Sequence, residues 1–149
     1  AALWLSVCAS RMVFGCVQDG GLGAEAPGLF DPALADLVRL RRQRAGHLQS
    51  KGRYMAAQVL ALIDGDVWLE NARAANAAAQ EIAGAASGRL LHAVEANEIF
   101  LKLSPQERAA LRAQGFGFYD WGDDAARMVT AWNSASAVVA KLERAISNL

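Results

Sequence analysis

Residues 47–76 read HLQSKGRYMAAQVLALIDGDVWLENARAAN. Within this stretch, residues 54–63 are apolar almost all round, which predicts a buried helix. Asp64-Gly65-Asp66 breaks that helix and caps the next, because glycine interrupts and aspartate accepts from free backbone N–H groups. The second helix is expected to run to about Ala86, with Leu69, Ala72, Ala75, Ala79, Ile82 and Ala86 along one face. Small alanines at that spacing let another element approach closely, so this face is expected to pack in a core.

Downstream, residues 89–93 and 97–103 read as strands, the second with Ile99, Leu101 and Leu103 on one face. Ser104-Pro105-Gln106-Glu107 is a capping box with proline at the first helical position. Gly115 closes that helix. Residues 116–121 and 126–132 read as two further strands, and Ser134 is expected to cap a last helix with Val138, Leu142, Ala145 and Ile146 on its buried side. Upstream, residues 2–8 and 11–17 read as short apolar strands, with a turn at Gly20–Gly23. Pro27 confines the following extended run to a sheet edge or an irregular path. Asp31-Pro32 starts a helix with Leu34, Leu37 and Val38 as its apolar stripe and Arg39, Arg41, Arg42 and Arg44 on a solvated face. His47 is expected at its C-terminal cap. The order implies an α+β fold: a small antiparallel or mixed sheet with helices packed on one face.

The chain has 149 residues, 54% of them hydrophobic, enough for a domain with its own core. Fifteen basic and fifteen acidic residues cancel, so nothing in the charge calls for nucleic acid as a partner. Cys8 and Cys16 are too few for a disulfide framework, and with two histidines no metal site is expected. The first ten residues, AALWLSVCAS, fit a buried strand better than a signal peptide, since no basic region precedes the apolar run and Val7 is too large for the position before a lipoprotein cysteine. No run approaches the ~20 apolar residues of a membrane span, so no membrane is expected as a partner and a cytoplasmic location is. Gly21-Leu22-Gly23-Ala24-Glu25-Ala26 formally fits a dinucleotide-binding loop. That motif must open a helix, and Pro27-Gly28 follow at once.

Arg127 interrupts an otherwise apolar strand on the same side as Val129. A guanidinium there requires a carboxylate partner, because burying it alone is costly. An internal Asp or Glu and the carboxylate of a bound substrate both satisfy the requirement.

Several of these stretches resemble the threonine aldolase family, pyridoxal-phosphate lyases of fold type I that cleave β-hydroxy amino acids. Residues 47–76 are similar to part of the family's C-terminal half. FGCVQDGGLGAEA at residues 14–26 resembles the family's cofactor-lysine loop, approximately FGATKNGALGAEA. ARMVT at residues 126–130 resembles the strand RLVTH, whose arginine grips the substrate α-carboxylate, so the resemblance gives that role to Arg127. Ser50-Lys51-Gly52-Arg53 resembles a loop whose arginine faces the active site, often across a subunit boundary, and Arg53 takes that position. Residues 95–100 and 118–121 resemble two further strands of the family.

At the lysine's place stands Gln18. The cofactor is held as a Schiff base to a lysine amine, and an amide nitrogen cannot form it. The resemblance therefore implies a C-terminal part of a threonine-aldolase-like lyase, inactive alone, with Arg127 and Arg53 as substrate-binding residues and no catalytic residue. No cofactor is expected on this chain by itself, although pyridoxal phosphate serves the family. Residues 1–30 are expected to be a strand-and-loop remnant of the large domain, and residues 31–149 the small domain. The expected partner is a second copy of the chain or a separate large-domain chain. The alternative function is a non-enzymatic, self-associating interaction module derived from the same fold.

Overall fold

The computed structural model describes residues 9–149, so the strand expected over residues 2–8, and Cys8, lie outside the described residues. The chain divides into two compact units that meet between Trp68 and Leu69. The division expected at residue 30 concerns descent from two domains of a longer enzyme, which packing within this chain does not address.

The first unit opens with an antiparallel hairpin, β1 (Arg11–Gly15) against β2 (Glu25–Leu29), in which Val13 lies opposite Pro27. Phe30 N donates to Ser10 O at 3.0 Å. Hydrogen-bonded and non-bonded rungs alternate along such a ladder. Counting back from Ser10 and Phe30 makes Val13 and Pro27 a non-bonded rung, so the missing N–H of Pro27 falls on the side away from β1. β1 stops at Gly15, two residues short of expectation, because Cys16 O turns to accept from Gly21 N at 2.7 Å and Asp19 N at 3.2 Å.

Asp31 accepts from Ala33 N at 2.9 Å, and Pro32 begins a short 3-10 turn, Pro32–Leu34. This leads into α1 (Ala35–Arg44). α1 closes at Gly46, whose φ of +73° suits a residue without a side chain. There His47 N donates to Arg42 O and Gly46 N to Gln43 O, the paired closure of a glycine-terminated helix. His47 serves this cap through its backbone. None of α1 is buried, so its expected apolar stripe is only partly covered.

α2 (Arg53–Ile63) turns Met55, Val59 and Leu62 toward Cys16, Ala24, Phe14 and Trp68. Gln58 Oε1 accepts from Leu22 N at 2.7 Å and Gly23 N at 3.3 Å, tying the loop after β1 to this helix. The expectation of a buried helix is not met: within α2 only Leu62 is buried, while Leu60 is 67% exposed and Tyr54 and Ile63 are exposed as well. The spacing explains it. Ala56, Leu60 and Ile63 form a second stripe at i, i+4, i+7, turned away from the first. No described residue of this unit seals it.

A 3-10 turn at Asp64–Asp66 then breaks the helix, with Gly65 at φ +67° and Asp66 at φ +60°. α3 (Val67–Ala85) follows and carries Ala75, Ala78, Ala79, Ile82 and Ala83 buried along one side. Beyond it, β3 (Glu98–Lys102), α4 (Pro105–Ala113), β4 (Tyr119–Asp120), β5 (Ala125–Val129) and α5 (Ser136–Ser147) complete the second unit. Its sheet is antiparallel in the order β3-β5-β4. Ile99 and Leu101 of β3, with Leu103 beyond it and Ala126 and Met128 of β5, face the helices. Ala79 and Ile82 of α3, Leu111 of α4, and Val139, Ala145 and Ile146 of α5 close the core from that side. Three helices on one face of a small antiparallel sheet is the expected α+β arrangement.

The capping box at the start of α4 is complete: Ser104 Oγ accepts from Glu107 N, and Glu107 accepts from Ser104 N at 2.8 Å. Other details differ from expectation. Residues 89–93 form only a bridge, Leu90 opposite Leu101, with Leu91 N and Arg89 O bonded to β3. The strands expected over 116–121 and 126–132 shorten to two and five residues. Ser134 does not cap α5. Its hydroxyl accepts from Ala131 N at 3.0 Å in the preceding turn, and Ala135 stands at the cap without a side-chain bond. Against the expected buried side, Val138 faces outward and Val139 inward. No helix among the described residues is long and apolar enough to cross a membrane.

Candidate functional site

The face of the β3-β5-β4 sheet opposite the helices carries the sequence-predicted Arg127. In register, Phe100 of β3 and Tyr119 of β4 both lie opposite Arg127 of β5. Glu98 is opposite Val129, one diagonal step away on the same face, within reach of a long side chain. Arg127 Nη2 donates to Glu98 Oε1, and the Arg127 guanidinium lies 5.8 Å from the centre of the Tyr119 ring. The sequence left an internal carboxylate and a ligand carboxylate open as partners for this arginine, and the structure supplies the internal one.

Both members of the pair stay reachable from water, with side chains 30% and 40% exposed for Arg127 and Glu98. The hydrogen bond from Arg127, with its charge, holds the Glu98 carboxyl below its ordinary range, against a smaller opposing effect of burial. Beside the pair runs an aromatic floor. Phe100 meets Trp121 edge-on at 5.0 Å and His92 at 5.7 Å between ring centres. Tyr119 and Trp121 are exposed.

The turn joining β4 to β5 positions this face, and α4 holds the turn. Arg108 is buried; it donates to Asp123 O at 2.6 Å, Ala125 O at 3.2 Å and Gly122 O at 3.4 Å. It also lies 3.0 Å from Asp120 Oδ1, which accepts from Arg112 at 2.7 Å. These two arginines, Arg112 first through its hydrogen bond, keep the Asp120 carboxyl below its ordinary range. Arg112 stacks on Phe118 at 4.5 Å. The sequence reading missed Arg108. The available signal was its spacing: three residues before Leu111, it falls on the buried stripe of its helix. At the other end of β5, Thr130 Oγ1 donates to Ala75 O at 2.7 Å, and Asn97 Nδ2 donates to Thr130 O at 2.8 Å, fixing the β3–β5 register.

The other two sequence-predicted positions belong to the first unit. Arg53 is exposed at the first residue of α2, with its guanidinium 5.1 Å over the ring of its neighbour Tyr54. Gln18 is exposed in the turn after β1. Its amide folds back on Gly15, where an added Cβ would stand 2.6 Å from Gln18 Oε1. By the resemblance drawn from the sequence, this turn is where the threonine aldolases carry the lysine of their pyridoxal phosphate, and an amide cannot form that imine.

No family model matches the chain. Over 140 residues it is 35% identical to the low specificity L-threonine aldolase of Pseudomonas aeruginosa, a match that takes in 91% of this chain and 40% of that protein. The chain is related to the C-terminal part of the threonine aldolases. The low specificity L-threonine aldolase of Pseudomonas sp. strain NCIMB 10558 is 33% identical over 136 residues, covering 88% of this chain and 39% of its own length. Among solved structures, a threonine aldolase of Leishmania major superposes with a TM-score of 0.86 at 20% identity, over 97% of this chain and 44% of that one. At that identity the superposition bears on the fold alone. The chain spans about two fifths of the length of the curated threonine aldolases it matches.

Proposed function

We propose that this chain is the C-terminal, substrate-contacting part of a threonine-aldolase-like lyase, and that it does not perform the lyase reaction on its own. The observation that carries the second half is Gln18, an amide in an exposed turn at the position where the family has its imine-forming lysine. Identity of 35% to a threonine aldolase supports the first half. In this reading Arg127 contacts the carboxylate of an amino-acid substrate through its planar pair of donors, and Arg53 lends a second positive charge. The remaining machinery comes from another chain or another part of a longer protein.

The expected result is that the purified chain, supplied with pyridoxal phosphate and threonine, yields no glycine above an enzyme-free blank. Gln18→Lys is expected to change neither this nor, after borohydride reduction and peptide mapping, the absence of a cofactor adduct at residue 18. Glycine release by the unmodified chain would overturn the proposal.

One observation favours a second reading, a self-associating module without enzymatic activity. The outer stripe of α2 leaves Ala56, Leu60 and Ile63 exposed along one side, and clustered apolar surface usually finds a partner. Light scattering is expected to give at least a dimer, and Leu60→Glu to shift it to a monomer. A clean monomer for the unmodified chain would remove this reading.

A further inference from the structure

We propose that Glu98 is an internal competitor that occupies Arg127 and sets how readily the uncovered sheet face takes a ligand carboxylate. This deepens the assignment of Arg127 as a carboxylate-binding residue and rests on it. Three features of the pair support it. First, Glu98 and Arg127 meet on the face of the β3-β5-β4 sheet away from the helices, with both side chains partly open to water. A ligand can reach the guanidinium without disturbing the core.

Second, the pair is a single contact. Among the described residues, Arg127 makes a side-chain hydrogen bond through Nη2 alone, to one oxygen of Glu98, whereas a guanidinium has five N–H donors and matches a carboxylate with two in parallel. Ion pairs this exposed contribute little to stability, so exchanging Glu98 for an incoming carboxylate trades a one-point contact for a two-point contact at small cost to the fold. Third, the surroundings fit a ligand larger than an inorganic anion. Tyr119 covers one side of the guanidinium, and the Phe100–Trp121 edge contact continues the apolar floor. The chemical class recognised is a small carboxylic acid bearing a flat or apolar body. The exchange is non-covalent: Glu98 stays ionised and swings into water as the ligand carboxylate takes its donors.

The test uses the full chain and benzoate as the probe, followed by NMR shifts of the Trp121 indole and by calorimetry. Glu98→Gln removes the competing charge and keeps the shape, and is expected to tighten benzoate binding at least tenfold. Glu98→Asp, one methylene shorter, is expected to fall between the two. Because residue 98 lies on the open face, both variants are expected to melt close to the unmodified chain, and whichever of them does so serves for the comparison. Adding Arg127→Gln to Glu98→Gln is expected to abolish the gain. Equal benzoate affinity in the unmodified chain and Glu98→Gln, both lost with Arg127→Gln, would overturn the competitor role while leaving Arg127 as a carboxylate site. No dependence on Arg127 in any variant would overturn both.

Discussion

Leu101→Ala is expected to destabilise the second unit by about 3–5 kcal/mol, in the range measured for fully buried leucines. Leu101 is 0% exposed. It sits mid-strand in β3, opposite Ala126 and bridged to Leu90, so it is enclosed by sheet neighbours on both edges and by helices above. Those neighbours are held by ladder bonds and cannot move in to refill the space, which places the substitution toward the costly end. A domain of ordinary stability has only about 5–15 kcal/mol to lose. Urea unfolding followed by circular dichroism would show the midpoint fall steeply. Leu91→Ala, nearby on an exposed position, is expected to stay within about 0.5 kcal/mol of the unmodified chain. A loss below about 1 kcal/mol at Leu101 would contradict the close-packed core.

Arg108→Ala is expected to cost about 1–3 kcal/mol, by a different route. The side chain is a buried cation whose donors serve the carbonyls of the β4–β5 turn. Ala125 O keeps a second bond, from Trp121 N at 2.8 Å. Truncation takes this donor from Asp123 O and Gly122 O, which lie on exposed turn residues, and empties the buried volume that the side chain fills. Arg108 Nε is itself buried without a partner, so the native arrangement already tolerates one unmet group. Arg108→Met, which fills the volume without any donor or unmet N–H, is therefore expected to be milder than Arg108→Ala. Arg112→Ala removes an exposed partner of the same Asp120 and is expected to cost less than about 1 kcal/mol. Equal effects of Arg108→Ala and Arg112→Ala would refute the claim that Arg108 holds the turn.

What could be read directly in the sequence was the chemistry that acts over a few residues. The capping box at Ser104–Glu107, the Asp31-Pro32 start, the glycine stop at Gly115 and the alternation of Ile99, Leu101 and Leu103 each depend on neighbours along the chain, and each is present. What failed depends on partners distant in sequence. The apolar composition of α2 signalled a need for cover but not its source, and Leu60 and Ile63 are uncovered within the first unit's described residues. Ser134 was a plausible cap by spacing until the turn at Ala131 claimed its hydroxyl. Arg127 announced that it needed a carboxylate, and only the β3–β5 register chose Glu98. Arg108 went unread: its spacing to Leu111 marks a buried position, but nothing local reveals that a turn fifteen residues on supplies the carbonyls for its donors.

The rung at Val13 and Pro27 has a consequence for how the hairpin behaves in a crowd of its own kind. An open strand edge is a template on which other chains can add strand by strand toward fibrils. Proline's ring nitrogen, turned outward from β2, interrupts that template midway, since any incoming strand would find no donor there. A single imino acid thus guards the rim of the smaller of the two sheets among the described residues.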